Sequence, residues 1–349
     1  MSDPVFALLR PLLARLPPER AHAATIALLA RLPPRPYRHD PILATDLAGL
    51  ALPSPIGLAA GFDKDGRVWR QMLGLGFGFV EVGTLTPRPQ AGNPPPRLFR
   101  LPEDRAIINR LGFNNGGIEA ALPRLARHPG LGVNVGANRD SPDRIADYAR
   151  AVAAVRDVAA FITLNLSSPN TPGLRALQGA ALGELLAAAA EARGGAGPPL
   201  FVKLAPDLSE AEIDQIAESV AGSPVSALVI SNTTVARPPG LRSRRAAEAG
   251  GLSGRPLMAR STAVLAAFRR RLGGRMPLVG VGGVADLADV LAKFAAGASA
   301  VQLYTALVYE GPGLARRLGR ALAAHLRARG LCGPADLVAR PVELARPLP

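Results

Sequence analysis

Eight short apolar runs, separated by helical segments, limit most strongly what this chain can fold into. The runs are nearly continuous in Val, Ile, Leu and Phe, a pattern typical of strands buried on both faces of a parallel sheet. Eight such β/α units predict an α/β fold, a (β/α)8 TIM barrel with a small N-terminal helical extension. The runs span residues 55–61, 79–84, 132–137, 161–167, 200–206, 227–232, 277–283 and 300–305.

An open, doubly wound sheet is the alternative to a barrel. That fold requires a glycine-rich dinucleotide turn after its first strand. Here the first strand ends in AAGFDKDG, which does not match G-x-G-x-x-G. The connections at 85–131 and 233–276 are too long for ordinary loops, and insertions of this kind at the C-terminal face of a barrel build an active site or a lid.

Residues 1–40 form the predicted extension. Phe6, Leu9, Leu13 and Leu16 recur at helical spacing, and Pro11 should kink or break that helix. A second helix is expected from about residue 17 to Leu32, with apolar residues around most of its circumference, so protein or lipid must cover it. We therefore divide the chain into an extension at 1–40, a barrel at 41–330 and a tail of unknown role at 331–349.

Composition excludes several classes of protein. The net charge is +14, but the arginines that produce it are scattered and aromatic residues are only 4%, so a nucleic-acid-binding surface is not expected. A single cysteine, Cys332, excludes a disulfide framework, and the absence of a long apolar run excludes a polytopic membrane protein. The four histidines lie far apart, so no metal site is expected. No signal peptide is evident, which indicates a cytoplasmic protein.

Polar residues gather at the predicted strand ends, where barrel enzymes place their chemistry. Lys203 lies inside an apolar strand, and it could act as a Schiff-base nucleophile or as a cation for an anionic cofactor. Converging asparagines suit a planar ligand with alternating donors and acceptors. Gly282-Gly283 and Tyr304-Thr305 lie where barrels bind phosphate, which would fit FMN.

Several long motifs resemble the dihydroorotate dehydrogenase family, in its class 2, the membrane-associated, quinone-reducing branch. The resemblance covers roughly residues 15–315, and PERAH (18–22) in the extension also matches class 2. Class 1 members use a cysteine where this chain has Ser168, and its only cysteine is elsewhere. The motifs include GLAAGFDKDG (57–66), EVGTLTPRPQAGNPPPRLFRL (81–101), INRLGFNNGG (108–117), NLSSPNTPGLR (165–175), GGLSGRPL (250–257) and GASAVQLYTAL (297–307).

The resemblance implies oxidation of (S)-dihydroorotate to orotate in de novo synthesis of UMP. Hydride would pass to N5 of one non-covalent FMN per subunit, Ser168 would be the base, and a membrane quinone would reoxidise the flavin. The resemblance places FMN at Ala60, Gly61, Phe62, Asp63, Lys64, Thr84, Asn134, Asn165, Lys203, Ser231, Gly254, Gly283, Tyr304 and Thr305. It places substrate at Lys64, Asn109, Arg110, Leu111, Gly112, Phe113, Asn165, Asn170, Asn232 and Thr233.

The extension then has a membrane role. The resemblance implies that its helices lie on an anionic membrane surface, at the cytoplasmic face of the cell membrane, and form a quinone tunnel. His22 and Arg100 match positions near the quinone, and a monomer is expected. Two alternatives remain open, a Schiff-base aldolase that uses Lys203 and a basic RNA- or DNA-binding protein.

Overall fold

The computed structural model describes residues 6, 10–11, 15–171, 173–179 and 181–339. Its centre is a closed barrel of eight parallel strands, which confirms the predicted fold. Nearly all of their residues are buried, as expected from the continuous apolar runs. In the order in which they pair around the barrel, the strands are β3 (Ile56–Leu58), β4 (Phe79–Leu85), β7 (Leu131–Val135), β8 (Phe161–Asn165), β9 (Leu200–Leu204), β10 (Val225–Ile230), β12 (Leu278–Val281) and β13 (Ala300–Leu303).

Helices surround the barrel and connect its strands. Helix α6 (Glu210–Ala221) begins at a capping box in which the Ser209 hydroxyl and the Glu212 carboxylate each accept a backbone N–H. The helices are α1 (Pro18–Ala30), α2 (Trp69–Gly74), α3 (Ile118–Ala121), α4 (Arg144–Val155), α5 (Leu182–Arg193), α6 (Glu210–Ala221), α7 (Met258–Leu272), α8 (Leu287–Ala295), α9 (Thr305–Glu310), α10 (Leu314–Ala328) and α11 (Ala335–Ala339).

The two long connections meet in a three-stranded antiparallel sheet beside the barrel. The first supplies β5 (Leu98–Leu101) and β6 (Ala106–Asn109), and the second supplies β11 (Gly251–Gly254). Strand β6 lies in the centre and pairs with both neighbours. We call this three-stranded sheet the roof sheet, because its residues form one wall of the cavity described below. A short hairpin, β1 (Thr45–Leu47) and β2 (Leu50–Leu52), precedes the barrel.

Helix α1 confirms the second predicted helix of the extension and is fixed to the roof sheet. Glu19 pairs with Arg97 at 2.6 Å, and Arg100 donates to the backbone carbonyl of Leu16 at 2.9 Å. The helix predicted around Pro11 falls largely outside the described residues, as does the tail beyond residue 339. Within the described part of the chain, no helix is long and apolar enough to cross a membrane.

Candidate active site

One cavity opens at the carboxyl ends of the barrel strands, between these ends and the roof sheet; we call it the central cavity. The structure brings most of the predicted site residues together on its wall. They are Ala60, Gly61, Lys64, Thr84, Asn109, Leu111, Gly112, Phe113, Asn165, Ser168, Asn170, Lys203, Ser231, Asn232, Thr233, Gly254, Gly283, Tyr304 and Thr305.

Two lysines supply the positive charge of this cavity. Lys203 is 5% exposed on β9, and Lys64 lies in the loop after β3. Burial lowers the pKa of both ammonium groups, and the attraction of Glu81 for Lys203 and of Glu19 for Lys64 opposes that effect. Among the described residues, neither ammonium has a hydrogen-bond partner in the protein. Each is therefore available to an anionic or carbonyl-bearing ligand.

The ends of β11, β12 and β13 form a cradle with exposed backbone. A Cβ at Gly254 would lie 2.4 Å from the carbonyl oxygen of Arg105, and one at Gly283 would lie 2.5 Å from the Cα of Met258. Both glycines have positive φ, so a larger residue would be strained as well as blocked. The Thr305 hydroxyl donates to Ser253 at 2.9 Å on the same wall. Strands β12 and β13 are the seventh and eighth of the barrel in chain order, and their carboxyl ends are where barrels bind phosphate.

A buried lysine supports the cradle from behind. Lys293 of α8 is fully buried and donates to the Ser261 hydroxyl at 2.6 Å. Ser261 in turn donates to the carbonyl oxygen of Gly282 at 3.0 Å. Burial lowers the pKa of Lys293 to about 7, although Asp289 attracts its charge. Through Ser261, the lysine therefore fixes the position of Gly282, the residue that follows β12.

A chain of amides and hydroxyls crosses the floor of the site. Thr84 donates to the Asn134 side-chain oxygen at 2.5 Å, and Asn165 donates to the same oxygen at 3.1 Å. The Asn165 oxygen accepts from the Ser167 hydroxyl at 3.1 Å and from the Asn232 amide at 3.3 Å. These residues come from the ends of four different strands, so a closed barrel is needed to assemble the chain.

Ser168 lies just beyond β8 in a loop over the cavity. Its hydroxyl accepts from the Asn170 backbone N–H at 3.3 Å and lies 3.4 Å from the Thr171 hydroxyl. Ser168 and Thr171 are both buried. Asn170 reaches across to the roof sheet, where its amide donates to Asn109 at 3.2 Å. The loop thus joins the possible base to the residues expected to hold substrate.

Some predicted site residues do not reach the wall of the central cavity. The Asp63 carboxylate accepts the backbone N–H groups of Arg67 and Val68 at 2.8 and 2.7 Å, so its side chain shapes the loop after β3. Arg110 is paired with Glu248 at 2.9 Å and lies over the ring of Phe99. Phe62 packs in the core, and Asn134 lies fully buried behind Thr84 and Asn165.

One of the two predicted quinone residues, His22, lies on helix α1, and the other, Arg100, lies beside the start of that helix. The His22 ring contacts Phe62 edge-on at 5.5 Å between centroids and lies 6.4 Å from Tyr304 of the cavity wall. Burial and the charge of Lys64 lower the pKa of His22 to about 4, so the ring is neutral at pH 7. Arg100 instead faces the start of α1. In the described part of the chain there is no metal-binding group of His, Cys, Asp or Glu.

Sequence reasoning missed three residues that organise this site. Glu81 holds the amide of Asn134 from within the barrel, and Thr171 adjoins Ser168. Arg175 donates to the backbone carbonyls of Ser167 and Thr233 at 3.2 Å each, and so ties two cavity loops together. Only Glu81 left a signal, a carboxylate inside an apolar strand.

Comparison with known proteins decides the family. The family model described as dihydroorotate dehydrogenase matches residues 42–326. The chain belongs to the dihydroorotate dehydrogenase family. Proteins named dihydroorotate dehydrogenase (quinone) from Novosphingobium aromaticivorans and Sphingopyxis alaskensis are 54% and 53% identical to it, over 95% and 97% of this chain and 98% and 97% of theirs. The chain thus falls in the quinone-dependent class 2 of dihydroorotate dehydrogenases, as its motifs indicated.

Solved dihydroorotate dehydrogenases share the fold. The enzyme of Eimeria tenella crystallised with ferulenol superposes with a TM-score of 0.87 at 40% identity, covering 92% of this chain and 94% of that one. Its ligand-free form gives 0.88 at 39% identity, over 95% and 100%. At this identity, the barrel is that of dihydroorotate dehydrogenases, and neither the aldolase nor the nucleic-acid alternative is supported.

Proposed function

We propose that this protein oxidises (S)-dihydroorotate to orotate in pyrimidine biosynthesis and passes the electrons to a quinone. Membership of the quinone-dependent class supports the reaction. The observation that carries it to this chain is the composition of the central cavity. There, two ammonium groups without protein partners among the described residues, a chain of amides and a loop bearing Ser168 face one space.

The cavity fits FMN. The Lys203 ammonium points into it without a protein acceptor among the described residues, and Gly254 and Gly283 line the same cavity without side chains. Lys203, Thr84 and Asn165 would hold the ring system, and Ser231, Tyr304 and Thr305 would complete the cradle. FMN would supply a hydride acceptor at its N5. Lys203 would stabilise negative charge near N1.

Dihydroorotate offers a carboxylate and a ring of alternating N–H and C=O groups. Lys64 can pair with the carboxylate, because its half-buried side chain lines the cavity. The amides of Asn109, Asn170 and Asn232 can match the ring groups, since each carries both a donor and an acceptor. The backbone around Gly112 and Phe113 completes the substrate side of the wall.

Ser168 accepts the proton from C5 in this proposal. A serine hydroxyl is a weak base alone, so it must release its own proton as it accepts another. The Thr171 hydroxyl lies 3.4 Å from that of Ser168 and would be the first group to take this proton.

Helix α1 would guide the quinone from an anionic membrane surface. In the described part of the chain, the exposed large apolar residues are Leu16, Leu28, Leu32 and Val235, and the first three lie in or beside α1. Its opposite face carries His22 to the cavity wall. We place the protein, as a monomer, on the cytoplasmic face of the membrane through this helix.

The colour and reactivity of the purified protein test this function. It should be yellow and release one FMN per chain on denaturation, since no Cys or His of the described residues lines the cavity for covalent attachment. Anaerobic addition of dihydroorotate should bleach the flavin and yield orotate, and quinone should restore the colour. A colourless protein that borohydride traps with a carbonyl substrate would instead identify an aldolase.

Removing residues 1–38 should separate the two half-reactions. The truncated chain keeps the whole barrel and the Asp40–Arg327 ion pair of 2.6 Å, so it should fold and its flavin should be reduced by dihydroorotate. Reduction of a long-chain quinone should fall by roughly tenfold or more because α1, the proposed guide for the quinone, is lost. Reduction of a small water-soluble acceptor should remain. Equal rates with long-chain quinone in both proteins would show that α1 merely packs on the barrel.

A further inference from the structure

A buried carboxylate lies beneath the proposed active site without touching the central cavity. Glu81 of β4 is fully buried inside the barrel. One of its oxygens accepts the side-chain amide of Asn134 at 2.6 Å, and the other accepts that of Gln302 at 2.6 Å. Both oxygens of the carboxylate therefore accept amide hydrogens.

This carboxylate fixes which way the Asn134 amide points. A carboxylate can only accept hydrogen bonds, so Asn134 must give it the NH2 group. The Asn134 oxygen then faces the other way, toward Thr84 at 2.5 Å and Asn165 at 3.1 Å. Both of these neighbours must act as donors to it.

The orientation passes on to the residues that line the cavity. Because Asn165 gives its NH2 to Asn134 and to Thr84, its oxygen must accept from Ser167 and Asn232. Asn232 then gives its NH2 to Asn165 and to the Ser167 oxygen at 3.0 Å. The buried acceptor thus sets the donor and acceptor pattern of Asn165 on the cavity wall. The Thr233 backbone N–H, which donates to the Asn232 oxygen at 2.7 Å, holds Asn232 in the matching orientation.

Glu81 also supplies negative charge close to Lys203. The two strands that carry them, β4 and β9, lie on different sides of the barrel, and both side chains are buried in its interior. Attraction by Glu81 opposes the lowering of the Lys203 pKa that burial causes. The carboxylate therefore helps the lysine to stay charged beneath the ligand.

We propose that Glu81 is a positioning residue, which fixes the amide orientations of Asn134 and Asn165 so that the cavity wall matches FMN and the dihydroorotate ring. The inference rests on the proposed function, because it concerns the same cavity. It makes Glu81 a determinant of ligand recognition, although its side chain does not line the cavity.

An exchange of the two partners tests the proposal. Glu81→Gln places an NH2 group against the NH2 group of Asn134 or of Gln302. One of these amides must then turn, and a turned Asn134 would present its NH2 to Thr84 and Asn165, which are themselves donors. Asn134→Asp alone places two carboxylates side by side. The double variant Glu81→Gln/Asn134→Asp restores every bond. The glutamine introduced at position 81 donates its NH2 to the aspartate introduced at position 134, and its oxygen accepts from Gln302. The aspartate at position 134 still accepts from Thr84 and Asn165.

The measurements are the dissociation constants of FMN from the apoprotein and of orotate from the oxidised holoprotein, neither of which requires turnover. Each single variant should bind orotate roughly tenfold more weakly or worse, the usual effect of one mispaired buried polar group. The double variant should bind orotate roughly tenfold more tightly than either single variant, or better. Losses that simply add in the double variant would overturn the proposal, because a packing role cannot produce such rescue.

Two comparisons keep the outcome clear. Thr163, opposite Asn134 on β8, is buried and its hydroxyl has no partner among the described residues, so Thr163→Val changes the same layer without breaking a bond and should leave both constants unchanged. If a single variant does not fold, a folded double variant that binds orotate supports the proposal, and a double variant that fails to fold overturns it. If the wild type binds neither FMN nor orotate, the proposed function fails instead.

Discussion

Replacing Lys203 with methionine is expected to slow flavin reduction by dihydroorotate by about 10²- to 10³-fold, the usual effect of removing a group that stabilises developing charge. Methionine is close to lysine in length and apolar, so the buried strand β9 should keep its packing. The lost ammonium faces the cavity without a protein acceptor among the described residues, so FMN binding should weaken as well. Stopped-flow absorbance and FMN fluorescence measure these two effects.

Lys64→Met is the matched control, because it removes the second ammonium of the same cavity. We expect it to keep FMN and to lose affinity for orotate, since Lys64 is assigned to the substrate carboxylate. Full FMN occupancy and wild-type reduction rates in Lys203→Met would remove Lys203 from the mechanism. Loss of FMN from both variants to the same extent would indicate a general charge effect.

Ser168→Ala should bind FMN and orotate normally but lose about 10²- to 10⁴-fold in the rate of flavin bleaching, the usual contribution of a positioned base. Its hydroxyl accepts only the Asn170 N–H and the hydroxyl of Thr171 among the described residues, so the loop should keep its shape. Ser168→Cys should recover part of the rate and move its pH dependence downward, because a thiol with a pKa of about 8.5 ionises far more easily than an alcohol.

Ser167→Ala separates the base from its neighbour. Ser167 bridges Asn165 and Asn232 at 3.1 and 3.0 Å, so its loss should weaken orotate binding more than it slows bleaching at saturating substrate. Near-normal bleaching in Ser168→Ala would show that another group, or water, accepts the C5 proton. Thr171→Val should then also have little effect.

The barrel was predictable because its strands are buried on both faces. Each of the eight apolar runs became a strand, although the structure ends several of them earlier than the pattern did. The run at 200–206 ends as a strand at Leu204, and that at 277–283 ends at Val281. The polar residues and glycines after these strand ends line the central cavity. The apolar pattern of the strands therefore stops where the residues of the site begin.

The roof sheet and the amide chain could not be read from the sequence in the same way. Strand β6 pairs with β11, which is far from it in the sequence, and local sequence patterns do not predict such distant pairings. Asn134 lies in the third predicted strand, where a ligand-binding residue was expected. Its side chain instead bonds to Glu81 and to the other members of the amide chain, and it does not line the cavity. Side chains at neighbouring levels of a barrel differ in depth by only a few ångströms, and the closure of the barrel decides which one reaches the ligand.

The roof sheet has a consequence for the order in which the protein is made. Asn109 and Gly251 lie 142 residues apart and face each other across this sheet. Synthesis proceeds from the N-terminus at about 5–20 residues per second, so β5 and β6 leave the ribosome well before their partner β11. Contacts of such long range also form late for entropic reasons. The wall over the cofactor is therefore among the later parts to close, and the nascent enzyme presents an open barrel mouth until its second long insertion has arrived.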